Sequence, residues 1–119
     1  MGKEKITAAV AVLPEGVTLE MIEAWKKEHQ ADKLNTIAVA APDGSKAIAI
    51  LKPLRDRNVL ALALSNASAK KIVEAGAVVF QNCKLFVDPR IEADDNMYVA
   101  ACVMANQLNE LPTVELGNL

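Results

Sequence analysis

Residues Thr36 to Leu51 (TIAVAAPDGSKAIAIL) decide the fold. Two runs of β-branched residues and alanine, Thr36 to Ala41 and Lys46 to Leu51, flank Pro42-Asp43-Gly44-Ser45. Proline presets φ at the first central position of a turn and glycine tolerates positive φ, so the stretch predicts a β-hairpin. Alternation puts Ile37 and Val39 on one face, with Ile48 and Ile50 the expected matching set on the second strand. Two strands alone are marginal in water, so the ribbon must pack on helices. The segment Lys5 to Leu13 (KITAAVAVL) reads as a short strand or extended arm, and Ile6 to Val12 is a candidate third strand.

Helices are expected on both sides of the hairpin. Upstream, Thr18 offers an N-cap to a helix from about Leu19 to Ala31, with Glu20 and Glu23 near its positive end. Downstream, Pro53 suits a first turn, which predicts a helix over Leu54 to Leu64. The polar run Ser65 to Ser68 then reads as a break, with Ser68 capping a helix from Ala69 to about Gln81. Gly76 falls inside that helix at a cost of roughly 1 kcal/mol against alanine, which points to a close helix crossing. Lys84 to Ile91, with Asp88-Pro89, reads as loop or brief extended chain. Asp94 and Asp95 favour the start of a last helix, in which Met97, Ala101, Met104 and Leu108 share a face. The expected architecture is one α+β domain over residues 1–119: a hairpin, with a third strand open as an addition, against about four helices.

Length and composition agree with this and exclude several functions. At 119 residues there is room for one domain. Apolar residues make up 52% of the chain but aromatics only 3%, so the core should be aliphatic and its helices should pack closely through alanine. Four rings are too few for a stacking platform, and a net charge of −2 with interspersed signs shows no basic stripe, which argues against nucleic acid. Lysine pairs such as Lys26-Lys27 and Lys70-Lys71 read as solvated helix faces. No apolar run approaches the roughly 20 residues that span a bilayer, and the opening residues carry no cleavable leader pattern. A cytoplasmic setting is therefore expected, with Cys83 and Cys102 reduced and unpaired.

Catalytic and metal-binding chemistry finds little to work with. His29 is the single histidine, and the two cysteines lie far apart with no CxxC, so no zinc ligand set is present. His29 reads first as a surface or capping residue at a helix end; as the only imidazole it would have to be the base of any nucleophile pair, and Cys83 with His29 would need an activated thiolate. Glu92, Asp88, Asp94 and Asp95 cluster, but helix capping accounts for Asp94 and Asp95 and the spacing is not that of a calcium loop. No catalytic residue, metal ligand or cofactor is assigned. Beyond Pro112 the chain still carries Val114, Leu116 and Leu119. Burying an aliphatic side chain contributes roughly 1.5–3 kcal/mol, so this segment is expected to dock, on its own core or a second copy ahead of a foreign partner. Met97 and Met104 read first as core and second as an adaptable binding surface. These five are the candidate partner-binding residues.

From Lys52 to Leu119 the order of landmarks resembles small tail assembly chaperone-like proteins of phages and prophages. A hairpin ends in Lys52-Pro53 and runs into an Arg-containing, alanine-rich helix (Arg55 to Ala63). A later helix ends in Asn82-Cys83, followed by Leu85 and Asp88, and an acidic stretch leads to an alanine-rich helix. Leu108 to Leu111 and Glu115 to Leu119 close the pattern. Where an aromatic residue leads into Lys-Pro in those chains, this one has Ile50-Leu51, and Lys84 to Val87 replaces an aromatic with glycines. The resemblance implies a non-enzymatic protein whose partner is a long, apolar, helical tape measure protein, kept soluble until the tail tube grows. Two readings stay open beside it: a small self-associating structural protein forming a homo-oligomer, and an enzyme whose site forms between subunits.

Overall fold

A computed structural model of the chain describes residues 13–109, 111 and 114–119. The expected third strand at Ile6 to Val12 and the expected stop at Pro112 lie outside the described residues. Helix α1 spans Leu19–Glu28, strands β1 and β2 span Asn35–Ala40 and Lys46–Leu51, and helices α2 and α3 span Arg57–Ser68 and Ile72–Cys83. Strand β3 (Lys84–Val87), helix α4 (Pro89–Ala93), helix α5 (Asp95–Ala105) and a 3-10 turn at Asn106–Leu108 follow. The sheet has the order β1-β2-β3 and is antiparallel throughout.

The hairpin forms as its turn chemistry requires. Pro42 and Asp43 are the central residues of a turn closed by Gly44 N–H on the Ala41 carbonyl, and Gly44 sits at φ 89°. Asp43 Oδ1 accepts from both the amide and the hydroxyl of Ser45. Arg90 at the start of α4 then clamps the turn: it grips Asp88 with two hydrogen bonds and reaches Ser45 Oγ at 2.7 Å.

The faces of the hairpin pair differently from the expectation. Ile37 lies opposite Ala49 and Val39 opposite Ala47, so alanine, together with Leu51, completes the inner face. Ile48 and Ile50 belong to the other face, opposite Ala38 and Thr36. The physical reason is volume. Small side chains on β2 let the helices approach, and all of Ala47, Ala49, Ala63, Ala75, Ala101 and Ala105 are fully buried. Around Phe80, Val79, Leu51 and Ile91 they make the aliphatic, alanine-packed core that the composition implies. Phe80 meets Tyr98 edge-on at 5.8 Å.

Helix α3 is the hub, packed on α2 and on α5, while α5 also covers β1. A Cβ on Gly76 would land inside the Cys102 carbonyl of α5, so only glycine permits this crossing. The expected close approach is present.

Several helix limits differ from the reading above. α2 begins at Arg57 because Asp56, whose carboxylate accepts from the amides of Asn58 and Val59, is a better cap than Pro53 is a first-turn residue. It runs through Ser65 to Ser68 without a break. It ends where Lys70 adopts φ 64° and the amides of Lys70 and Lys71 bond the carbonyls of Ala67 and Asn66, a Schellman close made without glycine. Ser68 therefore caps nothing, and α3 starts at Ile72 with no side-chain cap. α1 ends at Glu28, three residues before the expected Ala31, and closes in the same way at Gln30 (φ 50°), with the Thr18 cap in place. The stretch read as loop from Lys84 is a strand, and Asp88 caps the short α4 with Pro89 in its first turn. Leu85 is the bulged residue, since Ile50 pairs with Phe86 and Leu51 with Lys84.

Candidate functional site

The C-terminal face departs furthest from an ordinary surface. Asp94 starts α5 by accepting from the amides of Asn96 and Met97, and from Asn96 to Asn109 the chain carries no charge. One side of α5, Met97, Ala101, Cys102 and Ala105, is buried against α3 and β1. The outward side presents Val99 and Val103, 41% and 44% exposed, with Ala100 and Met104 beside them. A surface helix ordinarily puts polar residues there, and a helix apolar all round is ordinarily buried.

The candidate partner-binding residues divide. Met97 is only 5% exposed and belongs to the core, so it offers no binding surface; Met104, one residue from the helix end, is 48% exposed. The expected folding-back of the tail on its own core is not seen. Val114, Leu116 and Leu119 are all exposed, and Leu111 is exposed beside them. They reach solvent at the same end of the chain as the outward side of α5.

A second place brings together residues distant in sequence. Lys52 N–H donates to the Cys83 carbonyl and ties the exit of β2 to the end of α3. The Schellman close at Gln30 leaves the His29 carbonyl free of the helix ladder, and Arg55 Nη1 donates to it at 2.6 Å. A cleft of about 220 Å³ results, lined by His29, Lys52, Arg55, Asp56, Asn82 and Cys83 above an apolar wall that includes Val59. Lys52-Pro53, Arg55 and Asn82-Cys83, landmarks of the resemblance, thus converge on one cavity. His29 and Cys83 share that cavity, but not as an activated pair. Cys83 is 2% exposed, and burial pushes its thiol above the usual range while Lys52 pulls weakly the other way. A neutral, enclosed thiol is a poor nucleophile.

The acidic cluster is taken up by structure. Asp88 and Asp94 cap helices, and Glu92 receives Lys84 at 3.0 Å and Gln81 at 3.1 Å. Among the described residues no three His, Cys, Asp or Glu side chains gather in a way that would hold a metal ion. A second concavity, about 850 Å³, opens on the outer sheet face between Leu13, Ala38, Ile48 and Phe86. No helix of the described residues is long and apolar enough to cross a membrane.

The fold and these surfaces define a small α+β domain. No family model, curated protein or solved structure matches the chain.

Proposed function

We propose that this chain is a non-enzymatic protein-binding module that covers an apolar segment of another protein. The observation that carries it is the uncharged outward side of α5, together with the exposed tail that bears Val114, Leu116 and Leu119. Exposed apolar side chains gathered along one helix side mark interaction sites in folded domains. Met104 adds an adaptable contact, since an unbranched thioether fits irregular partners. The finer reading is a tail assembly chaperone whose partner is a tape measure-like apolar helix, working in the cytoplasm. It rests on the landmarks from Lys52 to Leu119 and on this surface, which suits a helical partner laid along α5.

Co-expression with a long apolar helical polypeptide of the tape measure kind tests it. The chain should raise the soluble fraction of that polypeptide and co-purify with it, and Val103→Glu should abolish both. If the soluble fraction is unchanged, the chaperone reading fails. If the chain instead forms a dimer that shields Val103 from labelling, the self-associating structural reading replaces it.

A further inference from the structure

The cleft beside Cys83 has a chemistry that protein binding through α5 does not use. Its two cations differ from the paired ones elsewhere in the fold. Arg90 is paired with Asp88 at 2.9 Å and Lys84 with Glu92 at 3.0 Å. Among the described residues neither Lys52 nor Arg55 has a carboxylate within ion-pair distance. Asp56 lines the same cleft, but its Oδ1 is committed to the amides of Asn58 and Val59. Arg55 spends one N–H on the His29 carbonyl, which fixes the guanidinium at the rim and leaves its other N–H donors without a partner among the described residues. Asn82 Nδ2 is likewise spent on the Val78 carbonyl, so the amide is held in place. The Cys83 thiol is held neutral by its burial and adds no negative charge.

Two cations against the single carboxylate of Asp56 leave the cleft with a net positive charge, and the partial shelter given by Pro53, Leu54 and Val59 strengthens their pull on an anion relative to open water. Size narrows the choice. Drug-sized ligands occupy roughly 300–1,000 Å³, whereas this cleft holds about 220 Å³. A fixed guanidinium beside a lysine suits a planar or tetrahedral oxyanion, with arginine supplying directed hydrogen bonds and lysine a mobile point charge. We propose that this cleft is a binding site for a small free oxyanion, a carboxylate or phosphate, held by Lys52 and Arg55.

The test is an amide NMR titration of the full chain with inorganic phosphate and, separately, with succinate, against sodium chloride at matched ionic strength. Saturable shifts should centre on His29, Lys52 to Asp56 and Asn82-Cys83, and chloride should not produce them. Lys52→Met and Arg55→Met should each weaken binding by about tenfold or more, the usual loss on removing one charge-assisted contact. Lys46→Met, at the far end of β2 and outside the cleft, should leave it unchanged. Arg55→Lys serves if Arg55→Met disturbs the fold, and it should bind at intermediate strength. Binding of phosphate alone or succinate alone identifies the anion and supports the proposal. No saturation into the tens of millimolar with either, or saturation that Lys52→Met and the Arg55 variants leave intact, overturns it. The outcome is independent of α5, so Val103→Glu should bind the anion as the native chain does.

Discussion

The two sides of α5 have nearly the same composition and opposite fates. Inward, Met97, Ala101, Cys102 and Ala105 close against α3 and β1; outward, Val99, Ala100, Val103 and Met104 meet solvent. Neither side carries a charge between Asn96 and Asn109. Hydropathy therefore does not say which side is core. What separates them is the neighbour each side finds: the inward side meets Gly76, the one place where α3 has no Cβ to hold the helices apart. The outward side finds nothing within the described chain, which makes it available to a partner.

Substitutions on the two sides should widen that contrast. Gly76→Ala puts a methyl into the Cys102 backbone carbonyl, which cannot rotate away. It should cost about 3 kcal/mol or more, lowering the thermal midpoint by roughly 10–15 °C for a domain this size. A calorimetric midpoint within a few degrees of native would show that the crossing can loosen. Ala101→Leu, overpacking the same seam from the other helix, should cost about 1–3 kcal/mol by denaturant unfolding.

Further from α5 the effects shrink. Gln30 and Lys70 each hold a left-handed conformation at a helix end, where a side chain costs about 1–2 kcal/mol. Gln30→Gly and Lys70→Gly should each stabilise, by up to about 1 kcal/mol after glycine's extra chain entropy is deducted. A loss of stability in either would mean that the side chain packs more than its exposure indicates. On the outward side, Val103→Glu and deletion of Val114 to Leu119 should change stability by no more than about 0.5 kcal/mol, since neither disturbs a buried group. A large loss would show that these surfaces are already covered in the free protein.

The pH dependence follows from the same distinction between clamped and free groups. Hydrogen bonds from Arg90 hold the Asp88 carboxyl below its usual range, and those from Gln81 and Lys84 do the same for Glu92. A carboxylate depressed in the folded state lends stability above its unfolded value of about 4, and that stability is lost as pH falls through the folded value. Stability should thus fall below about pH 4, less steeply in Glu92→Gln. Cys83 and Cys102 are shifted upward by burial, so their contribution is present below the unfolded thiol value of about 8.5 and is lost as pH rises further. Denaturant midpoints measured across pH check both limbs.

What was legible in the chain was local. The hairpin and its turn, the caps at Thr18 and Asp94, the alanine-rich core and the close crossing at Gly76 all follow from residues within a few positions of one another. The helix ends at Gln30 and Lys70 were illegible because no glycine marks them; backbone hydrogen bonds close each end through a left-handed residue whose side chain does not favour it. Register was equally hidden, since Ile37-Val39 against Ile48-Ile50 and against Ala47-Ala49 are alike in alternation. The helices chose between them by demanding small side chains on the inner face. Met97 and Met104 lie seven residues apart on one stripe, yet the first is core and the second surface, because seven residues are not a whole number of helical turns and Met104 falls at the edge of the arc that Ala101, Cys102 and Ala105 bury. The cleft was illegible for a different reason. His29, Lys52, Arg55 and Cys83 have no spacing in common, and only the closing of α1 against the exit of β2 and the end of α3 sets them around one cavity. Short-range chemistry fixed the elements of this protein, while long-range packing decided which surfaces it buries and which it offers.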